Sequence, residues 1–536
     1  MEKLVGLFKF DEIDTYTHKK RLREELDIFK KLGLIDYIVQ VAEIYNQHIS
    51  KYPVLLRGSA GSSLLLYYLG LNKIDPVKHS ILLSRFINLE RKTLPDIDFD
   101  LPSSVRNQLI DEILESNPNA VRMTSCANGD RENNDYWDEL VKEDPTLNVA
   151  HSSGIIIYSN EQKNIIDENL VLPNQIGLTK DNIGEYGLKK IDILSNTALE
   201  QLYKISSTNG KNKQIYEYDF NDKSVFDFIS QDDGIGITFA ETPSIQNVIK
   251  ILKPSNIEEL SICLSLVRPF ASHNIDSNMT WENLKNQIIY DDDFITLLMD
   301  KLNYSEDEAD NIRRLFKNKN DFEKMKKFQI LVEASDLDIE TKNKINYSLT
   351  NLSKYGFCKA HSINYACMIY CLYWNKLYNH KNFWKSVINF VKGRYRDWVY
   401  IRKGLECGLK FKGIENCSPF YHLIYTGYWL KKDFVSRCYF KKTFCEKNDI
   451  CNVNACDKYK SNDVCEFRGI IASVGSIVMS ENKYQMVITL GYDNNKFINL
   501  HLNKKRDLSR FKQIIGKGFW IDGSNPHIVV TKMTLM

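Results

Sequence analysis

The run Pro95-Asp96-Ile97-Asp98-Phe99-Asp100-Leu101 constrains this chain more than any other segment. In an extended strand, residues two apart share a face. Asp96, Asp98 and Asp100 therefore point one way, while Ile97, Phe99 and Leu101 point into a core. Like charges this close repel, and burying them is costly unless cations compensate. Hard oxygen ligands on a fixed strand are what Mg²⁺ requires. A second strand candidate, Lys190-Ile191-Asp192-Ile193-Leu194, offers one more acid with Lys190 on the same face. Two metal ions bridged by such acids would serve phosphoryl or nucleotidyl transfer, one activating the attacking hydroxyl and the other neutralising the leaving group. A solvated acidic edge strand or a calcium site would show the same spacing, so the motif alone leaves those readings open.

The chain has 536 residues, enough for roughly three to four domains. Its 43% hydrophobic and 26% charged residues are those of an ordinary soluble protein. Net charge is only +2, so any nucleic-acid binding has to come from local basic surface. The opening MEKLVGLFKFDEID mixes acids into a short apolar stretch without a small-residue cleavage site, so no signal peptide is expected. The best apolar run, 363–374, is far short of the roughly 20 residues that span a bilayer, so no membrane association is expected. Twelve cysteines without a secretory signal read as thiols or metal ligands, and the expected location is cytoplasmic, bacterial or in the host of a phage.

Apolar spacing predicts helices over 17–48 with a break at Gly33. It predicts a buried strand at 54–56, a small-residue turn, and a helix through Leu69. Further strands are expected at 94–101, 155–158 and 190–194, and mostly helix from 232 to about 409. A cysteine-dense segment runs over 437–465, followed by short strands and one amphipathic helix near 504–515.

Between the first strand and the next helix lies Arg57-Gly58-Ser59-Ala60-Gly61-Ser62-Ser63. Glycines let backbone N–H groups approach phosphate oxygens, serines add donors, and Arg57 adds a fixed positive charge. Alone, the stretch is equally a strand-to-helix turn with a serine cap. Its spacing is not that of a Walker A loop.

Taken together, these segments resemble the polymerase core of the bacterial DNA polymerase III alpha subunit, the C family of DNA polymerases. The resemblance runs through Leu22-Arg23-Glu24-Glu25-Leu26-Asp27, the Arg57–Ser62 loop, Ile74-Asp75-Pro76, Arg85-Phe86-Ile87-Asn88-Leu89-Glu90-Arg91 and Leu94-Pro95-Asp96-Ile97-Asp98. His151-Ser152-Ser153-Gly154-Ile155-Ile156-Ile157 looks like a weaker version of a palm segment of the family. The string Tyr355-Gly356-Phe357-Cys358-Lys359-Ala360-His361-Ser362-Ile363-Asn364-Tyr365-Ala366 and the pair Arg268-Pro269 resemble its fingers. The resemblance implies a multidomain α+β chain with a polymerase-beta-like nucleotidyltransferase palm, helical fingers, a Cys-rich insert and a C-terminal OB-fold β-barrel. Implied boundaries are palm 1–118 and 151–225 around a reduced thumb at 119–150, fingers and following helices 226–430, the Cys-rich module 431–465 and the OB-fold 466–536.

By the same resemblance Asp96, Asp98 and Asp192 are the catalytic acids holding two Mg²⁺ ions. Arg57, Gly58, Ser59, Lys190, Arg268, Lys359 and His361 fall at the nucleotide. Lys and Arg there would neutralise phosphate charge, and His361 could donate a hydrogen bond or proton. Arg85 and Arg91 are candidate contacts to nucleic acid. Departures from the family are expected: no N-terminal PHP domain, no proofreading signature, a reduced thumb and no recognisable clamp-binding peptide. Phe239 stands where the family has Gln.

Cys438, Cys445, Cys451 and Cys456 could bind Zn²⁺ tetrahedrally, or an iron–sulfur cluster, or be free thiols; no Cys-x-x-Cys knuckle occurs. In the OB-like tail, Lys504 and Lys505 could follow a phosphate backbone, and Trp520 could stack on single-stranded template or sit in the core. The expected function is primer-extending, template-directed DNA synthesis from deoxynucleoside triphosphates. The alternatives are a non-catalytic single-strand-binding scaffold, and a primer-making or terminal nucleotidyltransferase.

Overall fold

The computed structural model describes residues 15–90, 95–125, 150–178, 183–207, 213–409 apart from 277, 320, 391 and 392, and 464–535 apart from 481–482, 493–495, 503–507, 509–512 and 522–526. The chain divides into two compact units, Met1–Asp227 with Pro254–Cys371, and Phe228–Lys253 with Leu372–Met536. These units cut across the boundaries expected from sequence.

The first unit is built on seven strands: β1 (Leu55–Arg57), β2 (Ile97–Pro102), β3 (Ala120–Thr124), β4 (Ala150–Ile157), β5 (Leu170–Leu172), β6 (Gln175–Ile176) and β7 (Lys189–Asn196). They form one mixed sheet in the order β1-β2-β7-β4-β3-β6-β5. The alternation that marked β2 as a strand sets its packing. Ile97, Phe99 and Leu101, with Ile191 and Ile193 of β7, are wholly buried in a cluster that includes Tyr37, Val41 and Tyr45. The segment 119–150, expected as a thumb, begins with β3, which pairs with both β4 and β6. That stretch is therefore sheet at its start, because Val121 and Met123 are needed in a second small core with Ile156 and Ile176.

The helix Tyr16–Lys31 is capped by the Thr15 side chain, which accepts from the His18 N–H. It stops where expected, since Gly33 takes a φ of 64° that a side-chain-bearing residue adopts only at a cost. The helix Ile35–Ile44 follows, extended by a wider turn over Tyr45–Ile49. Glu25 is fully buried and accepts from Ser63 Oγ (2.8 Å) and the N–H groups of Leu64 and Leu65 (both 2.9 Å). It thereby holds the start of the short helix Leu64–Tyr68 and, with it, the end of the small-residue loop. The helices of this unit beyond the sheet include Ile257–Leu266, Asp293–Leu302, Glu306–Asn318, Phe322–Ala334, Ile339–Asn351 and the opening turns of Lys359–Tyr378.

The second unit includes the helices Pro243–Leu252, His380–Phe390 and Asp397–Glu406 and a buried carboxylate, Glu241. That carboxylate accepts from Gly236 N–H and Arg394 N–H (both 2.8 Å) and from Tyr400 OH (2.9 Å). Five further strands, β8 (Val464–Ser480), β9 (Lys483–Tyr492), β10 (Lys496–Leu502), β11 (Gln513–Ile521) and β12 (His527–Leu535), close on themselves in the order β10-β12-β11-β8-β9. Ile471, Ile488, Leu490, Leu500, Ile514 and Ile528 fill the interior. The helix expected near 504–515 is corrected at its end, since residues from 513 onward belong to β11; 503–507 and 509–512 lie outside the described residues.

Candidate active site

Strand register brings the acids together. β2 and β7 run parallel with Asp98 opposite Asp192, β1 lies antiparallel on the other side with Arg57 opposite Asp98, and β4 sets Gly154 opposite Asp192. One row across four strands therefore reads Arg57, Asp98, Asp192, Gly154. Glycine at the end of that row leaves room, because a Cβ there would stand 3.0 Å from His151 and 3.4 Å from an Asp192 oxygen. Asp96 sits just before β2 and is 44% exposed.

Lys190 lies two residues before Asp192, so it shares that face. Its ammonium is hydrogen-bonded to Asp192 and stands 3.6 Å from Asp96. Ser153 Oγ donates to the other Asp192 oxygen at 3.0 Å. His151 Nδ1 accepts from the Gly154 N–H at 2.8 Å. Tyr37 OH donates to the Lys190 carbonyl at 2.6 Å, and burial followed by the field of Asp96, Asp98 and Asp192 pushes that phenol well above its usual range.

The acids are unequal. Burial, and then Asp192 beside it, pushes the Asp98 carboxyl up to about 7, and its Oδ1 is buried with no hydrogen-bond partner. Burial also raises Asp192, but Lys190 and Ser153 outweigh it and hold that carboxyl below its usual range. A proton shared by the pair thus rests on Asp98. An orphaned buried carboxylate oxygen in a row that also carries Asp96 and Asp192 fits a divalent cation in kind. Among the described residues no three ligating side chains already converge on one point, since the Lys190 ammonium stands between Asp96 and Asp192 and supplies the counter-charge.

The small-residue loop flanks this row. Gly58 takes a φ of 69° with nothing within 4 Å of a would-be Cβ, so its constraint is conformational. Its N–H donates to His361 Nδ1 at 3.2 Å. His361 lies between Phe357 and Tyr365, with ring centroids at 4.7 and 4.3 Å. Burial, then Arg57 and Arg268, pushes its imidazole down to about 3. His361 is consequently neutral near pH 7, and with Nδ1 accepting, Nε2 carries the proton. The Arg268 guanidinium covers the Phe357 ring at 4.2 Å, with its Nε buried and unpartnered.

Other residues singled out in the sequence lie elsewhere. Lys359 donates its backbone N–H to Asp292 and lines a cavity of about 600 Å³ with Asp293, Trp281 and Lys344, in which no acid of the row takes part. Arg85 is corrected from a nucleic-acid contact to an internal one. It is bidentate on Asp291 at 2.9 and 3.2 Å, and Arg313 and Lys317 share that carboxylate. Arg91, Lys504, Lys505 and Cys438, Cys445, Cys451 and Cys456 lie outside the described residues, and Trp520 is described only in its backbone, within β11. Sequence reasoning gave no site role to Asn196, nor to Tyr365 and Glu25, which it met only inside family-like strings; the Ser63, Leu64 and Leu65 partners of Glu25 lie 38 to 40 residues away and the Asp100 partner of Tyr365 further still.

Residues 7–128 match the family described as the bacterial DNA polymerase III alpha NTPase domain, and residues 195–287 match the bacterial DNA polymerase III alpha subunit finger domain. DNA polymerase III subunit alpha of Mycoplasma genitalium is 24% identical over 631 residues, covering 99% of this chain and 68% of that protein. The subunit of the same name from Ureaplasma parvum is 24% identical, covering 74% of this chain and 49% of its own length. That from Staphylococcus epidermidis is 25% identical, with 71% and 44% covered. The chain spans about two thirds of the first of these relatives and about half or less of the other two. No described helix is long and apolar enough to cross a membrane.

Proposed function

We propose, from this kinship with bacterial DNA polymerase III alpha subunits, that the chain is a DNA-directed DNA polymerase that joins a primer 3′-hydroxyl to the α-phosphate of a deoxynucleoside triphosphate and releases pyrophosphate. The observation that carries the reading is the pairing of Asp98 with Asp192 on adjacent strands, with one Asp98 oxygen buried and unpartnered. Packing carboxylates this way costs stability and has no structural return unless the site binds a cation.

Asp96, Asp98 and Asp192 would hold Mg²⁺, which when bound lowers the pKa of the attacking hydroxyl and neutralises the leaving pyrophosphate. The remaining work falls to the chain. Arg57 presents a guanidinium that is 39% exposed beside the row, and Ser59 adds a hydroxyl on the same loop. His361, neutral, directs its Nε2–H as a donor to a phosphate oxygen. Lys190 keeps Asp192 ionised and balances the acids when no triphosphate complex is present. The seven-stranded sheet supports a nucleotidyltransferase palm, and the closed five-stranded order of β8 to β12 supports an OB-fold that would carry single-stranded template. Primer–template DNA and deoxynucleoside triphosphates are the partners this reading requires.

The test is primer extension on a defined template with Mg²⁺, comparing wild type with Asp96→Asn and Asp192→Asn. Template-matched extension lost in both variants is the expected result. A wild type that binds primer–template and adds no nucleotide with any metal overturns the polymerase reading in favour of a binding scaffold. Addition that ignores template sequence overturns it in favour of a terminal transferase.

A further inference from the structure

Asp100, the third acid of the run, is built unlike the other two. Asp96 is largely open and Asp98 keeps an unpartnered oxygen, whereas Asp100 is wholly buried with both oxygens used. Its Oδ1 accepts from Arg57 Nη1 at 3.2 Å. Its Oδ2 accepts from Tyr365 OH at 2.7 Å and from Asn196 Nδ2 at 3.0 Å. The three donors come from β1, from the helix Lys359–Tyr378 and from the end of β7. Arg57 is opposite Asp98 in register and Asp100 is opposite Leu55, so the guanidinium reaches along the diagonal that cross-strand neighbours offer a long side chain.

The contacts close on themselves. Asp100 binds Tyr365, Tyr365 packs on His361, His361 accepts from Gly58, and Gly58 follows Arg57, which returns to Asp100. We infer that Asp100 is a positioning residue and not a metal ligand: it fixes the Arg57 guanidinium and, through Tyr365, the His361 imidazole against the acidic row. A guanidinium carries five N–H donors, so the others stay available for the substrate. What they are set to receive is a triphosphate, and this rests on the polymerase reading. Removing the carboxylate leaves Arg57 free to swing, and the ordering has to be supplied on binding.

The experiment titrates a deoxynucleoside triphosphate into wild type, Asp100→Asn, Arg57→Ala and the double variant, with Mg²⁺ and without primer. Losing one charge-assisted contact corresponds to about tenfold in affinity. Asp100→Asn and Arg57→Ala are each expected to weaken binding by about that factor, and the double variant to bind less weakly than the product of the two losses, because Asp100 acts partly through Arg57 and partly through Tyr365. Losses that multiply, or unchanged binding in Asp100→Asn, overturn the inference. A higher Mg²⁺ concentration for half-maximal extension in Asp100→Asn overturns it as well, making Asp100 a metal ligand. An amide facing three donors can unfold the chain, so Tyr365→Phe serves as the second variant. It removes one donor only, and weaker triphosphate binding at an unchanged melting temperature is expected, while unchanged binding counts against the inference. Primer extension by the wild type runs alongside. Its absence, with the binding pattern intact, sinks the polymerase reading and leaves the positioning of Arg57 standing.

Discussion

Asp98 and Asp192 face each other across the parallel pair β2–β7, so two carboxylates leave the same side of the sheet at the spacing of adjacent strands, about 4.8 Å. With Asp98 raised by burial and by Asp192, the native chain bears a repulsion that it could shed by substitution. Asp98→Asn is therefore expected to raise stability in a chelating buffer by about 1 kcal/mol while lowering primer extension about a hundredfold or more. Thermal unfolding in EDTA and an extension assay read the two effects. A variant that is both less stable and still active would contradict this account of the pair.

Lys190 is the internal counter-ion of the row, 6% exposed and shared between Asp192 and Asp96. Lys190→Met leaves three acids without it. Breaking one partner out of a buried ion pair costs about 3–5 kcal/mol, so the variant is expected to be much less stable without divalent cations. Added Mg²⁺ or Ca²⁺ should then raise its melting temperature by more than it raises that of the wild type. Equal shifts in both proteins would mean that cations do not bind where Lys190 stands.

The acids, the strands that carry them and the helix break at Gly33 were legible because each is a local signal: a two-residue period, or a backbone angle that glycine permits. Asp100 shares the same period as Asp96 and Asp98, yet its donors lie 43, 96 and 265 residues away. Spacing along one strand gives the face of a carboxylate and says nothing of what arrives from elsewhere to occupy it. β3 was missed for a related reason. Ala120-Val121-Arg122-Met123-Thr124 is too short for its alternation to stand out, and it becomes a strand through its pairing with β4 and β6.

Arg85 shows the same limit with opposite sign, since an arginine in a family-like string reads as a phosphate contact until Asp291 is found 206 residues on. Burial opposes its charge, but Asp291, Asp292 and Asp310 outweigh it and hold the guanidinium above its usual range. Arg85→Ala should destabilise the chain by about 3–5 kcal/mol, as expected when a buried ion pair is broken. The salt dependence of DNA binding should keep its slope, because no phosphate contact is removed. Denaturant unfolding and binding at several salt concentrations separate the two. A shallower slope with unchanged stability would return Arg85 to the DNA interface.

His361 gives the chain a pH dependence of defined sign. Burial, with Arg57 and Arg268 beside it, holds the imidazole at about 3 in the folded chain, against about 6.5 when unfolded. Between those values the unfolded state binds a proton that the folded state refuses. The stability associated with neutral His361 is thus fully present above about pH 6.5 and is lost progressively as the pH falls toward 3. At pH 5 the loss amounts to about 2 kcal/mol. His361→Gln carries no titrating group at this position, so it should lose less stability than the wild type between pH 7 and pH 5, by about that amount, with every other titrating group common to both. Denaturant unfolding of the two proteins at both pH values measures the difference. Parallel losses would mean that the imidazole is open to protonation in the folded chain, and the neutral Nε2–H donor assigned to it would then be wrong.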